Sequence, residues 1–142
     1  MKSLAYHEIA HASHFTNVGQ IYWGQLALAE AMAWGWGDKH SYDAGRIAVC
    51  ESWADHVQFL MESMRFNLPG LLDNLERIRN FNEDHVPIGL HWDLQDANND
   101  PFQACDWTET PGSTRCGPIN DNPSGLTTGQ LFQILTHDVT SP

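Results

Sequence analysis

Residues 43–66 read DAGRIAVCESWADHVQFLMESMRF, and within them Ile47, Cys50, Ala54, Val57, Leu60, Met61 and Met64 recur at the three- and four-residue steps of one helical face. Asp43 or Ser41 stands where a helix N-cap belongs, so the stretch predicts a long helix with a single apolar stripe. Upstream, Ser3 to Phe15 carries Ala, Leu, Ile and His at helical spacing and gives out near Asn17-Val18-Gly19. Tyr22 to Trp34, YWGQLALAEAMAW, is apolar almost all round and is stopped by Gly35 and Gly37, which predicts a helix enclosed by its neighbours. Downstream, Pro69-Gly70 breaks the chain, and Leu71, Leu72, Leu75 and Ile78 then share one side of a fourth helix ending at Phe81.

From Asn82 the texture changes. The stretch to Gly125 holds most of the prolines and many Asn and Asp, with Val86 to Leu90 as its one strand-like piece. Thr127 or Thr128 then caps a short terminal helix bearing Leu131, Phe132, Ile134 and Leu135. The expected architecture is therefore mainly α: one domain over 1–142, with a helical core over 3–81, an irregular loop-rich segment over 82–126 and a terminal helix over 127–137.

Composition narrows the function classes. A chain of 142 residues with 42% hydrophobic residues and six Trp can bury a core of its own. Seven Lys plus Arg against 18 Asp plus Glu give a net charge of -11 with no basic run, which disfavours nucleic acid as a partner, because phosphate affinity comes from clustered cations. No apolar run approaches the roughly 20 residues of a membrane helix. Cys105 and Cys116 bracket the polar segment CDWTETPGSTRC. Closed as a disulfide loop, it points to an exported protein, periplasmic, surface-bound or extracellular; as two unpaired thiols it fits a reducing compartment.

Residues 7–11 read His-Glu-Ile-Ala-His inside the first helical segment. Positions four apart on a helix differ by only about 40 degrees around the axis, so His7 and His11 share a face and offer two imidazoles to one metal ion. Glu8, beside His7, can reach a water activated by that ion without ligating it, which is the placement of a general base. His14 falls on the same face, either lining the cleft or serving as an ordinary histidine near the helix end. A zinc ion with two His ligands needs a third from the protein. Glu51 and Asp55 lie one turn apart on the long helix, so Glu51 can ligate while Asp55 accepts the free N–H of a ligating His and fixes its tautomer. Glu30 is also downstream at a plausible distance, but four residues on stands Trp34, which cannot orient an imidazole as a carboxylate does.

The HExxH of residues 7–11, followed on a later helix by the ExxxD of residues 51–55, resembles the gluzincins, the thermolysin-like zinc peptidases. The metzincin pattern is excluded, since it needs Gly and His where this chain has His14 and Asn17. The likeness is confined to short motifs within residues 3–66. It implies a zincin-like helical catalytic subdomain in which His7, His11 and Glu51 bind Zn2+, Glu8 is the base, Asp55 supports His7, and the substrate is a peptide or protein. It also implies an oxyanion donor beyond the third ligand: His91 is the first candidate, with His85, Tyr42 and His137 behind it. In gluzincins a sheet precedes the metal helix; with only six residues before His7, the expectation is that an N-terminal sheet portion lies outside this chain.

Two further features carry expectations. Asp93, Asp96 and Asp100, with Asn98 and Asn99, form an oxygen-rich stretch that either wraps a Ca2+ ion or is a solvated turn, since Asp and Asn favour turns. The Trp residues at 23, 34, 36, 53, 92 and 107 divide between core and substrate stacking. The leading function class is a zinc-dependent peptide hydrolase. The alternatives are a noncatalytic peptidase-like or cell-surface binding module with a structural or vestigial metal site, and a helical interaction domain with no metal at all. Glu8 favours the enzyme, because a purely structural site has no use for a base beside an open coordination position.

Overall fold

The computed structural model describes residues 2–38, 40–67, 90–95, 103–105, 116–118 and 125–140. It is mainly helical. Helix α1 spans Lys2–Ala33 and α2 spans Ala44–Phe66; a short α3, Leu90–Asp93, and a terminal α4, Thr128–Ile134, complete the helices. Strands β1, Gln103–Cys105, and β2, Cys116–Pro118, form an antiparallel pair in which Cys105 stands opposite Cys116. The helix expected over 71–81 and the strand-like piece at 86–90, except Leu90, lie outside the described residues.

The two upstream helical segments join as α1, interrupted only at Gly19, whose φ of 82° and ψ of 177° suit glycine and few other residues. The break falls where the sequence gives out, but a single residue makes it. The turn into α2 depends on Gly37, at φ 66°, where an added Cβ would overlap the side chains of Ser41 and Ala33. Asp43 occupies the N-cap position of α2 in a left-handed conformation, φ 52°, and makes no side-chain cap. Its carboxylate instead accepts from Arg46 Nε at 2.6 Å, and the Arg46 guanidinium lies 4.2 Å from the centre of the Tyr22 ring. The expected carboxylate cap is thus replaced by an ion pair that joins α2 to α1 through a cation–π contact.

Followed toward its C-terminus, α1 meets α2 progressively nearer α2's start, so the two run antiparallel. Near one end Ala10 packs with Val49, Trp53, Ala54 and the α4 residues Leu131 and Leu135; near the other Leu26 and Ala29 pack with Ile47 and Cys50. Each fully buried Leu, Ile or Val among them contributes roughly 1.5 to 3 kcal/mol. Helix α4 begins with a capping box between Thr127 and Gln130 and ends at Ile134, short of the expected 137. Asn17 Nδ2 donates to the carbonyls of Phe132 and Leu135, and Tyr22 OH donates to that of Val139 at 3.0 Å, which ties the C-terminal segment to α1.

Burial departs from the two expected patterns. The second half of α1 is not enclosed: Leu28 is 51% exposed and Met32 58%, and Trp34 just beyond it is exposed as well, while Tyr22, Leu26 and Ala29 form its single buried face. On α2 every residue from Ile47 to His56 is buried, whereas Met61, Met64 and Phe66 are exposed. The single stripe therefore holds for neither half of α2: the first half is covered on all sides, by α1, by α3 and by the α4 residues of the core cluster, and the end of the stripe at Met61 and Met64 is open. That enclosure forces Glu51, Ser52, Asp55 and His56 into the interior, where a polar side chain is retained only with partners or a ligand.

Candidate metal centre

The small side chain of Ala10, 1% exposed, lets α1 approach α2 closely, and on either side of it His7 and His11 reach across to Glu51. His7 Nε2 is 3.0 Å from His11 Nε2 and 3.3 Å from Glu51 Oε2, and His11 Nε2 is 3.6 Å from Glu51 Oε1. Ligand atoms held tetrahedrally at about 2.0 to 2.1 Å from an ion stand roughly 3.3 Å apart, so these three separations bracket the edge of such a site. Among the described residues this is the one group of its kind, with its ligand atoms within 4.8 Å of one another, and it could hold a metal ion. Glu51 Oε2 is buried, and His7 Nε2 at 3.3 Å is its polar neighbour among the described residues.

The ring orientations suit ligation. His7 Nδ1 lies 3.1 Å from Asp55 Oδ1, so its N–H donates to the carboxylate and Nε2 is left toward the centre. His11 Nδ1 lies 3.1 Å from Cys50 Sγ, which steadies the second ring. Hydrogen bonds to Asp55 and then Glu51 raise His7 to about 10, so without a metal a proton takes the place a cation would fill. Burial lowers His11 despite the charge of Glu51, favouring the neutral, ligating form. Burial also pushes the Cys50 thiol far above its ordinary value, with Glu51 and Glu30 adding to the effect, so it stays protonated and unreactive.

Glu8 is exposed and shares with His7, His11 and Glu51 a cleft of about 340 Å³. Trp23, Glu30 and Trp36 complete its described lining. Sequence reasoning set Glu30 aside as a ligand, yet its carboxylate reaches the cleft, where burial and the charge of Glu51 raise its pKa. The signal was its seven-residue offset from Trp23, which puts both on one face of α1. Cys50 was read only as part of an apolar stripe, and nothing in that pattern indicates its contact with His11.

The remaining candidates lie elsewhere. His91 is on α3, 5% exposed, with Nε2 3.3 Å from Ser52 Oγ and its ring 5.5 Å from that of His56; it is not among the residues lining the cleft. His14 is fully buried against Tyr22 and Trp23 rather than in the cleft or on the surface, and both of its ring nitrogens lack partners. Burial depresses His14 and His56 to about 4 and His91 to about 3. Tyr42 and His137 are exposed and line no part of the cleft. His85, Asp96, Asn98, Asn99, Asp100 and Trp107 lie outside the described residues, and of Asp93 only the backbone, in α3, is described. No helix among the described residues is long and apolar enough to cross a membrane. No known protein family, curated protein or solved structure matches the chain.

Proposed function

We propose that the chain binds zinc and acts as a zinc-dependent peptide hydrolase of the gluzincin type. The observation that carries this reading is the convergence of two Nε2 atoms and a buried carboxylate at tetrahedral spacing beside an exposed glutamate on the same open cleft. His7, His11 and Glu51 would hold the ion, and a two-His, one-carboxylate set with an open position suits zinc. When bound, zinc supplies Lewis acidity to the scissile carbonyl and lowers the pKa of water in the site.

The protein's own groups have distinct tasks. Glu8 takes a proton from the attacking water and delivers it to the departing amine, which requires that it stay at the cleft and off the metal. Asp55 keeps the His7 proton on Nδ1, so that Nε2 remains a donor to the ion. His91 is given no part at the reacting carbonyl, because its nearest polar contact is Ser52 on the buried side of α2.

Replacing the base separates this reading from a structural metal site. Glu8→Gln should retain zinc and lose about 100-fold or more of any hydrolysis of a quenched fluorescent peptide mixture by the zinc-loaded chain. Undiminished turnover in that variant would refute the role of Glu8. A zinc-loaded wild type with no hydrolysis of any peptide would favour the noncatalytic module instead.

A further inference from the structure

Three residues of the cleft have no task in the reaction above. Trp23 and Glu30 are seven positions apart on one face of α1, and Trp36 follows in the turn that Gly37 closes. The Trp23 ring stands 5.8 Å from that of His11 in an edge-to-face arrangement, so this group borders the metal ligands directly. Glu30 is half-buried and makes no side-chain hydrogen bond or ion pair with any described residue. A divalent ion in the site would be balanced by the charges of Glu51 and Glu8, which leaves the charge of Glu30 without a counterpart.

A half-buried carboxylate that lines one cleft with two Trp residues is a setting in which an organic cation can be bound. The carboxylate supplies the counter-charge, and the indole face adds attraction beyond van der Waals contact. A neutral or anionic side chain would gain neither term. We propose that Glu30, Trp23 and Trp36 form a subsite for an ammonium or guanidinium group of the substrate, so that the bond hydrolysed lies beside a cationic residue. The assignment rests on the metal-hydrolase reading. The cation has two chemical sources, a free α-amino group or a Lys or Arg side chain, and a cleft of about 340 Å³ is large enough for either.

Hydroxamates chelate an open zinc site and so report binding without turnover. The zinc-loaded chain would be titrated calorimetrically with Nα-acetyl-norleucine hydroxamate, which is neutral, with Nα-acetyl-lysine hydroxamate, which adds a side-chain ammonium, and with norleucine hydroxamate, which has a free α-amine. At least one cationic probe should bind about tenfold tighter than the neutral one, and the probe that does so identifies the source of the cation. Glu30→Gln should reduce that preference to within about threefold while leaving zinc content and the affinity of the neutral probe unchanged. Trp36→Ala should weaken the preference as well. Equal binding of all three probes to the wild type, or a preference that survives Glu30→Gln, would overturn the subsite while leaving the open metal site standing. If the zinc-loaded chain bound no hydroxamate, both readings would fall together.

Discussion

The described chain buries or half-buries two groups of histidines, one beside Glu51 and Asp55 and one away from them, and they differ in their partners. His7 and His11 face carboxylates: Asp55 holds the outer nitrogen of His7, and Glu51 faces the inner nitrogens of both. His14, His56 and His91 are more deeply enclosed, among Tyr22, Trp23 and Trp53, and no carboxylate pairs with any of them among the described residues. One environment favours a cation and the other excludes one. The comparison teaches that what separates the two groups is the anions around them: carboxylates aimed at His7 and His11 offer a cation its counter-charge, and the other three rings lack one among the described residues.

The largest effect expected from breaking this contrast is on metal retention. His7→Ala or His11→Ala should abolish zinc binding, and Glu51→Ala should weaken it far more than Glu30→Ala, whereas His56→Ala should leave it intact; elemental analysis of the dialysed proteins reads the difference. Equal metal content in the Glu51 and Glu30 variants would remove Glu51 from the ligand set.

A large effect is also expected from pH, measured as the Tm of the chelated chain. His14 and His56, at about 4, and His91, at about 3, refuse protons that the unfolded chain accepts below 6.5. Their contribution is complete above that value and declines as pH falls toward 4, by up to about 1.4 kcal/mol per pH unit for each ring. His7 has the opposite sign: raised to about 10, it contributes stability fully present below 6.5 and lost as pH climbs through 10. From these groups the metal-free Tm should peak near 6.5. Zinc, by replacing the His7 proton, should flatten the alkaline limb; a Tm insensitive to acid between 6.5 and 4 would contradict the buried, neutral state of the trio.

Smaller effects sharpen the contrast. Asp55→Ala should lower zinc affinity about 10- to 100-fold, since it removes the partner of the His7 N–H without removing a ligand. Ser52→Ala, on the other side of α2, should cost about 1 kcal/mol of stability by leaving His91 Nε2 without its hydroxyl, with no change in zinc affinity. A drop in metal affinity from Ser52→Ala would mean that the two histidine groups are coupled through the helix.

The convergence of His7, His11 and Glu51 was legible in the sequence, and the buried histidine group was not. Helical spacing alone puts His7 with His11 and Glu51 with Asp55, and the chemistry of a tetrahedral ion requires that the two pairs meet. Spacing could not indicate what covers α2 at each level. The stripe through Met61 and Met64 therefore continued past the point where burial ends, and His56 attracted no notice although it is 1% exposed. His91 was suggested by residue type, which is independent of the side of α2 on which the residue lies. The open face of Tyr22 to Trp34 was misjudged for a related reason: an all-apolar helix predicts enclosure, and here Tyr22, Leu26 and Ala29 meet neighbours while Leu28, Met32 and Trp34 do not.

The most direct test of the central claim is the zinc content of the purified chain, before and after chelation and repletion, in the wild type and in His7→Ala. The account predicts about one zinc per wild-type chain, removed by chelator and restored on repletion, and none in the variant. A wild type that takes up no zinc, or a variant that takes up as much as the wild type, would contradict it.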